Sequence, residues 1–471
     1  MLSLLTDSEA DLLLEGATRT LDRAGVLVQD RTLLQALLRQ GARVDIASER
    51  AWIPPNLLSH VVELQNRFPE EQRTLKNGLP RPCLPSVGVS VAQFIYDLDQ
   101  AKARLPTRED FLDVLRFQDV YHPEAGASHA LLLRDVPPRL ESIEAVGLIL
   151  QHARHPGVSY VHYGEQVPFL GEIGDLWFGD RKHFLRSGIY ASTPLRFDRR
   201  ACGVIQSLIG EGIKPGIGTM VVSGASAPVT PAGAAVVGLA EILAGWTLLY
   251  ALEVSPPYTG GSASGSMNMK STAVSFGSPE AMLQDLMLRD LARKSLGGHI
   301  NISGGANYTD AKHPGMQAAY ERYFEAHWIC LGTGSTPPVG SGLIDSGKTL
   351  SLEQFILDDE VAKMHQRVVE GVEINEELLG LNEIEKVGPG LSSSHMETGH
   401  CLRHCRDSWE SRLFDDSATP EGDQRRNEEA VLRRARQCVE EALSRYSPPE
   451  HPQEKISQLK DILDHARRNL G

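Results

Sequence analysis

The chain has 471 residues, 41% of them hydrophobic, and a formal net charge of −14 at pH 7. That is apolar material for a core larger than one small domain. The negative balance excludes a nucleic-acid backbone as partner, because phosphate binding is built on a positive surface, whereas an acidic field suits a small cation.

The opening MLSLLTDSEADLLLE has no basic stretch and meets acids within its first residues, which predicts no secretory signal and a cytoplasmic protein. Six cysteines, scattered at 83, 202, 330, 401, 405 and 438, form no disulfide-like framework and are expected as reduced thiols.

Thr6-Asp7-Ser8-Glu9 has the spacing of a capping box, and Leu12, Leu13, Ala17, Leu21 and Ala24 follow at helical spacing until Gly25. A second helix is predicted over 31–39, a short strand at 43–46, and a third helix after Pro54-Pro55. Residues 66–90 lose periodicity and read as a long connection. Another helix opens at Thr107, with Glu109 and Asp110 in its first turn.

Apolar runs then alternate with helical patterns. Strands are predicted at 127–133, 158–164, 188–195, 216–224, 255–262, 298–305 and 327–334, with an eighth near 340–347. Strands separated by single helices imply parallel pairing with right-handed crossovers, so the expected fold is α/β, a TIM-type (β/α)8 barrel with helical N-terminal and C-terminal extensions. The expected divisions are 1–125 for the cap and connection, 126–375 for the barrel and 376–471 for the C-terminal extension. Chemistry in such a fold sits at the C-terminal strand ends.

The segment from Ser223 to Tyr250, SGASAPVTPAGAAVVGLAEILAGWTLLY, reads as a small-residue loop and a long helix capped by Thr230 and opened by Pro231. Apolar nearly all round, with three glycines and no flanking Lys or Arg, it predicts a buried helix and no membrane span.

Several stretches occur together in order: PTRED at 106–110, DVPP at 135–138, APVTPAGAAVVGLAEILAG at 227–245, TDAKHPGMQAAYE at 309–321, SLEQFILDDE at 351–360 and VGPG at 387–390. In these the chain resembles the trimethylamine methyltransferase family over nearly its whole length. The resemblance implies transfer of a methyl group from an amine nitrogen to the cobalt of a corrinoid (cobalamin) carried by a separate protein. Members acting on trimethylamine contain pyrrolysine, and this sequence has none. That departure points toward a quaternary amine of the glycine betaine kind.

On this reading the densest polar cluster, His299, Asn301, Asn307, Tyr308, Asp310, Lys312 and Gln317, supplies the catalytic candidates Asp310, Lys312 and His299. Asp310 would hold or orient the cation. The bland alternative is an Asp310–Lys312 surface pair. Lys312, His162 and Arg196 are candidates for contact with a substrate carboxylate. Aromatic residues near predicted strand ends, Tyr160, Tyr163, Tyr258, Tyr308 and Trp328, could offer ring faces to a quaternary ammonium. Thr193 and Asn307 complete the expected substrate-binding set. No tightly bound metal is expected: His400, Cys401, His404 and Cys405 read as a packed helix with buried thiols, for want of a second ligand pair. The expected partners are a small cationic methylated amine and the corrinoid carrier, with no nucleic acid, no membrane, and homo-oligomerisation left open. A non-catalytic amine binder and a Schiff-base lyase using Lys312 are the competing readings.

Overall fold

The computed structural model describes residues 2–69, 90–185, 188–302, 304, 306–334, 337–389, 394–414 and 424–471. Most of the expected 66–90 connection, and Gly390 of the VGPG turn, lie outside the described residues. The helices follow local signals. In α1 (Asp7–Arg23), Glu9 N–H donates to Thr6 Oγ1 at 3.3 Å while Thr6 N–H donates to Glu9 Oε2 at 2.8 Å, the expected capping box. Then come α2 (Arg31–Arg39), capped by Asp30, and α3 (Pro55–Asn66), opened by proline. The main run comprises α4 (Arg108–Tyr121), α5 (Glu141–His152), α6 (Val167–Phe178), α7 (Arg199–Gly210), α8 (Pro231–Ala251), α9 (Pro279–Ser295), α10 (Met316–Thr333) and α11 (Leu352–Glu370).

Four short strands, Gly188–Tyr190, Gly216–Thr219, Gly260–Ser262 and Ile300–Ile302, pair in parallel in chain order, with Ile189 opposite Ile217 and Gly261 opposite both Gly218 and Asn301. Helices α7, α8 and α9 make the crossovers. Parallel contacts continue beyond them. Ala306 bridges Val339, Thr349–Leu350 pairs with Phe94–Asp97, Ala92 bridges Leu131, and Ala127 bridges Pro156. This is a parallel α/β construction. Among the described residues, no strand ladder joins segment 156–163 to Gly188–Tyr190.

Helix α8 is the packing centre. It meets α1, α2, α3, α9 and strand Gly216–Thr219, and 78% of its most apolar stretch is buried. Its glycines set the approach: a Cβ at Gly245 would come within 2.5 Å of the Ile217 side chain. The Trp246 indole donates to Thr259 O at 3.1 Å, which ties the helix to the next strand. Its one acid, Glu241, is fully buried and accepts from Leu195 N–H at 2.8 Å and from the Thr219 hydroxyl at 2.5 Å.

Two readings of secondary structure change. Segments 127–133 and 158–164 form no strands: the first makes isolated bridges at Ala127 and Leu131, the two are joined by single hydrogen bonds such as His129 N–H to Val158 O at 2.9 Å, and Gly164 already opens a 3-10 turn, Gly164–Gln166. Residues 327–333, expected as a strand, are the last turns of α10. A short apolar run ending in glycine does not distinguish the two, and here Gly334 at φ 70° is a left-handed helix cap. Side chains from 1–125, 126–375 and 376–471 pack into common cores: Leu21, Leu243 and Leu463 lie in one, Ala92, Ile356 and Ala435 in another.

Candidate functional site

Parallel strands present their C-terminal ends on one face, and two clefts open among residues that follow those ends. The larger, about 610 Å³, is lined by Ser223, Ser266, Ser275, Glu280, Asp310 and Lys312. The second, about 420 Å³, is lined by Leu133, Arg134, Glu141, His162, Tyr163 and Arg200.

The wall of the second cleft is built from three distant pieces of chain. His129 comes from segment 127–133, His162 from segment 158–164, and Glu141 is the first residue of α5. Their ligating atoms all lie within 4.8 Å of one another. His129 is fully buried; its Nε2 sits 2.9 Å from Glu141 Oε1 and its Nδ1 3.2 Å from Ser159 Oγ. Glu141 Oε1 also accepts Leu133 N–H at 2.9 Å, while its Oε2 is buried with no hydrogen-bond partner. Burial alone would raise the Glu141 pKa, but His129 and the Leu133 N–H hold it below its ordinary value. Burial, helped by His129, pushes the His162 imidazole down to about 4, so that ring is neutral at pH 7.

Tyr160 stands beside this group. Its ring lies 6.2 Å from His162, with planes 21° apart, and 6.5 Å from His129. Burial, with Tyr308 and Tyr190 within electrostatic reach, holds its phenol above the usual value, so it stays neutral. Burial raises Tyr308 as well. Glycines make room for both neighbours: a Cβ at Gly218 would meet the Tyr190 ring at 2.7 Å, and one at Gly347 the Tyr308 ring at 2.4 Å.

The sequence-predicted residues divide. Tyr163 lines the second cleft; Asp310 and Lys312 line the first. Asp310 Oδ1 accepts Phe276 N–H at 3.0 Å and Oδ2 accepts the Ser275 hydroxyl. Lys312, 60% exposed, pairs with Asp345 rather than with Asp310. Asn307 is buried, donating to Gly304 O at 2.6 Å and accepting from Ser341 Oγ at 2.8 Å. Tyr308 packs on Phe276 with ring centroids 5.4 Å apart. Thr193, joined to Pro194 by a cis peptide, precedes the Leu195 amide held by Glu241.

Others lie elsewhere. Tyr258 and His299 precede strands Gly260–Ser262 and Ile300–Ile302, which puts them at the N-terminal ends, opposite the clefts. Tyr258 is fully buried, with its N–H on Gln65 and its hydroxyl on Val254 O; His299 Nε2 faces Phe68 O. Trp328 lies within α10 beside Phe324 rather than on a strand. Arg196 opens a two-residue strand paired with Val26–Val28. The helix Gly399–His404 is not a packed helix with buried thiols, since Cys405 is exposed and Cys401 only partly covered.

A sequence profile described as "Trimethylamine methyltransferase (MTTB)" matches residues 1–471. The chain belongs to the trimethylamine methyltransferase family. Among relatives, the glycine betaine methyltransferase of Desulfitobacterium hafniense (strain Y51) is 26% identical, covering 100% of this chain and 98% of its own. Trimethylamine methyltransferase MttB1 of Methanosarcina acetivorans is 27% identical over 83% of this chain and 80% of its own. A crystal structure of the Methanosarcina barkeri monomethylamine methyltransferase superposes with a TM-score of 0.44 at 12% identity, over 98% of this chain and 91% of that one. That likeness is too slight to carry an argument.

For a member of the trimethylamine methyltransferase family, the two clefts offer different chemistry. Around the first, the Asp310 and Asn307 side chains already serve loops. The second has the neutral His162 ring and Tyr163 on its wall, a buried acid with an unpartnered oxygen, and exposed Arg134 and Arg200. Sequence reasoning named Tyr160 and His162 but missed His129, Glu141 and Tyr190, for no local motif joins positions 129, 141 and 162.

Proposed function

We propose that this chain transfers a methyl group from a quaternary amine of the glycine betaine kind to the cobalt of a corrinoid carried by a separate protein, on a closed (β/α)8 barrel. The observation that carries the reading is the Tyr160 phenol, kept neutral by burial and stacked beside the His162 ring that lines the second cleft. Ring faces of neutral phenols attract a permanent cation by about 0.5–2 kcal/mol each when well placed. The full-length glycine betaine relative and the lack of pyrrolysine support the same substrate class.

A quaternary amine asks little of acid–base groups. The C–N bond breaks with its electron pair retained on nitrogen, the amine leaves neutral, and cobalt(I) supplies the pair for the new bond to carbon. The protein's task is then to hold the methyl in line with the acceptor, a proximity effect of several kcal/mol. Exposed Arg134 and Arg200 at the cleft suit a substrate carboxylate. Cobalt(I) is strongly reducing, which suits a reaction in the cytoplasm.

The lyase reading loses its support, because Lys312 is exposed and paired with Asp345 rather than desolvated. The test is a thermal-shift screen of quaternary amines followed by cob(I)alamin methylation with each hit. Glycine betaine or a close analogue should raise Tm and methylate cobalt, while trimethylamine should do neither at the same concentration. Trimethylamine turned over as fast as every betaine would overturn the substrate assignment. Binding without methylation, in the presence of a competent corrinoid protein, would leave the non-catalytic binder.

A further inference from the structure

We infer that His129, Glu141 and His162 form a binding site for a divalent first-row transition ion, with the ion's remaining position turned to the 420 Å³ cleft. Two imidazoles and one carboxylate are a donor set that suits zinc or iron(II). Magnesium and calcium prefer oxygen ligands and fit it poorly. Zinc bonds of about 2.0–2.1 Å in a tetrahedron hold ligands about 3.3 Å apart. Since the ligating atoms here lie within 4.8 Å, the widest pair has to close by at most about 1.5 Å.

The surroundings have the form of a prepared site. Glu141 is 2% exposed, yet its Oε2 has no hydrogen-bond partner, and a buried carboxylate oxygen left unpaired is costly unless something positive meets it. Leu133 N–H anchors the other oxygen at 2.9 Å, which fixes the carboxylate from behind. Ser159 Oγ plays the same part for His129, 3.2 Å from Nδ1. When Nε2 turns from Glu141 to an ion, Nδ1 takes the proton and the Ser159 hydroxyl switches from donor to acceptor, so no group is stranded. Three protein ligands with a fourth side open are the arrangement of sites that exchange a water or a substrate oxygen.

The expectation of no tightly bound metal covers the whole chain but is argued from residues 400–405 alone, and the proposed site departs from it. The site does not depend on the methyl-transfer reading, because metal content is measured without turnover. The experiment uses the full chain, stripped with a chelator and dialysed against zinc or, separately, cobalt(II), with metal counted by mass spectrometry and cobalt geometry read from its visible spectrum. The expected result is about one ion per chain and intense low-symmetry cobalt bands. Glu141→Gln, which keeps the shape of the side chain, and His162→Ala should each lower affinity at least about tenfold, while His404→Ala should leave it unchanged. Circular-dichroism melts accompany each variant, so that if His162→Ala misfolds, Glu141→Gln decides. Wild-type protein that takes up neither ion, or stoichiometric binding that survives Glu141→Gln but fails in His404→Ala, would overturn the assignment.

Discussion

The two clefts on the strand-end face both carry polar and charged side chains and differ in what those side chains are doing. Around Asp310 the polar groups are committed: its two oxygens hold Ser275 and Phe276, Lys312 holds Asp345, and Asn307 joins Gly304 to Ser341. These bonds help to tie the segments around Ser275, Asp310 and Asp345 to one another. Around Glu141 one buried oxygen remains unpartnered and an imidazole stays neutral. A dense run of polar letters therefore measures what a loop needs for its own backbone. A site shows as buried polar atoms that the fold leaves unpaired.

Activity is where the two clefts should separate most. Tyr160→Leu and His162→Ala are expected to lower kcat/KM for the quaternary amine about 100-fold, near 2.7 kcal/mol of transition-state stabilisation. The assay is cob(I)alamin methylation at matched protein stability. Equal losses from Asp310→Ala in well-folded protein would erase the distinction and return the substrate to the first cleft.

For Asp310→Ala the expected change is in stability. Removing the carboxylate leaves Phe276 N–H and the Ser275 hydroxyl without their acceptor, at a cost of about 1–3 kcal/mol in urea unfolding. The kcat/KM of the protein that remains folded should move less than about threefold. A large kinetic loss with an unchanged unfolding midpoint would contradict this.

A third comparison uses pH. Asp285 is buried, accepts Ser264 N–H at 3.0 and 3.2 Å, and is pushed up to about 6 by burial from its ordinary 3.8. The folded state therefore binds this proton more tightly than the unfolded chain does. Its contribution to stability should fall as pH rises from about 4 to about 6, then stay flat. Asp285→Asn, which carries no titrating proton, should lack that component of the slope. Identical pH profiles for the two proteins would show that Asp285 titrates normally.

What is legible in the sequence follows the range of the interaction responsible. Helices α1 and α2 match their expected limits because Thr6 with Glu9, and Asp30, cap them through bonds spanning three residues. The parallel order of the central strands is legible for a similar reason, since helix and strand patterns alternate. Strand ends are not. The segment expected at 255–262 is a strand only over Gly260–Ser262, and that shift moves Tyr258 from a strand end to the region before the strand. Trp328 falls on a helix instead of a strand because α10 is apolar enough near its end to imitate one. The His129, Glu141 and His162 cluster has no local signal at all, as only the meeting of segments 127–133 and 158–164 with the start of α5 creates it.

The smallest expected effect belongs to Lys312, and it tests the bland side of the comparison. Its ammonium is 60% exposed and paired with Asp345, which is itself 28% exposed and also lies 3.8 Å from Lys348. An exposed pair contributes under about 1 kcal/mol, because water screens the attraction and ordering a long side chain costs entropy. With Lys348 close to the same carboxylate, Lys312→Ala should move the unfolding free energy by less than about 0.5 kcal/mol. Activity should stay within about twofold, and added salt should shrink even that difference. A tenfold rise in KM confined to substrates bearing a carboxylate would instead mean that Lys312 leaves Asp345 to reach the ligand. The first cleft would then be the place where the amine binds.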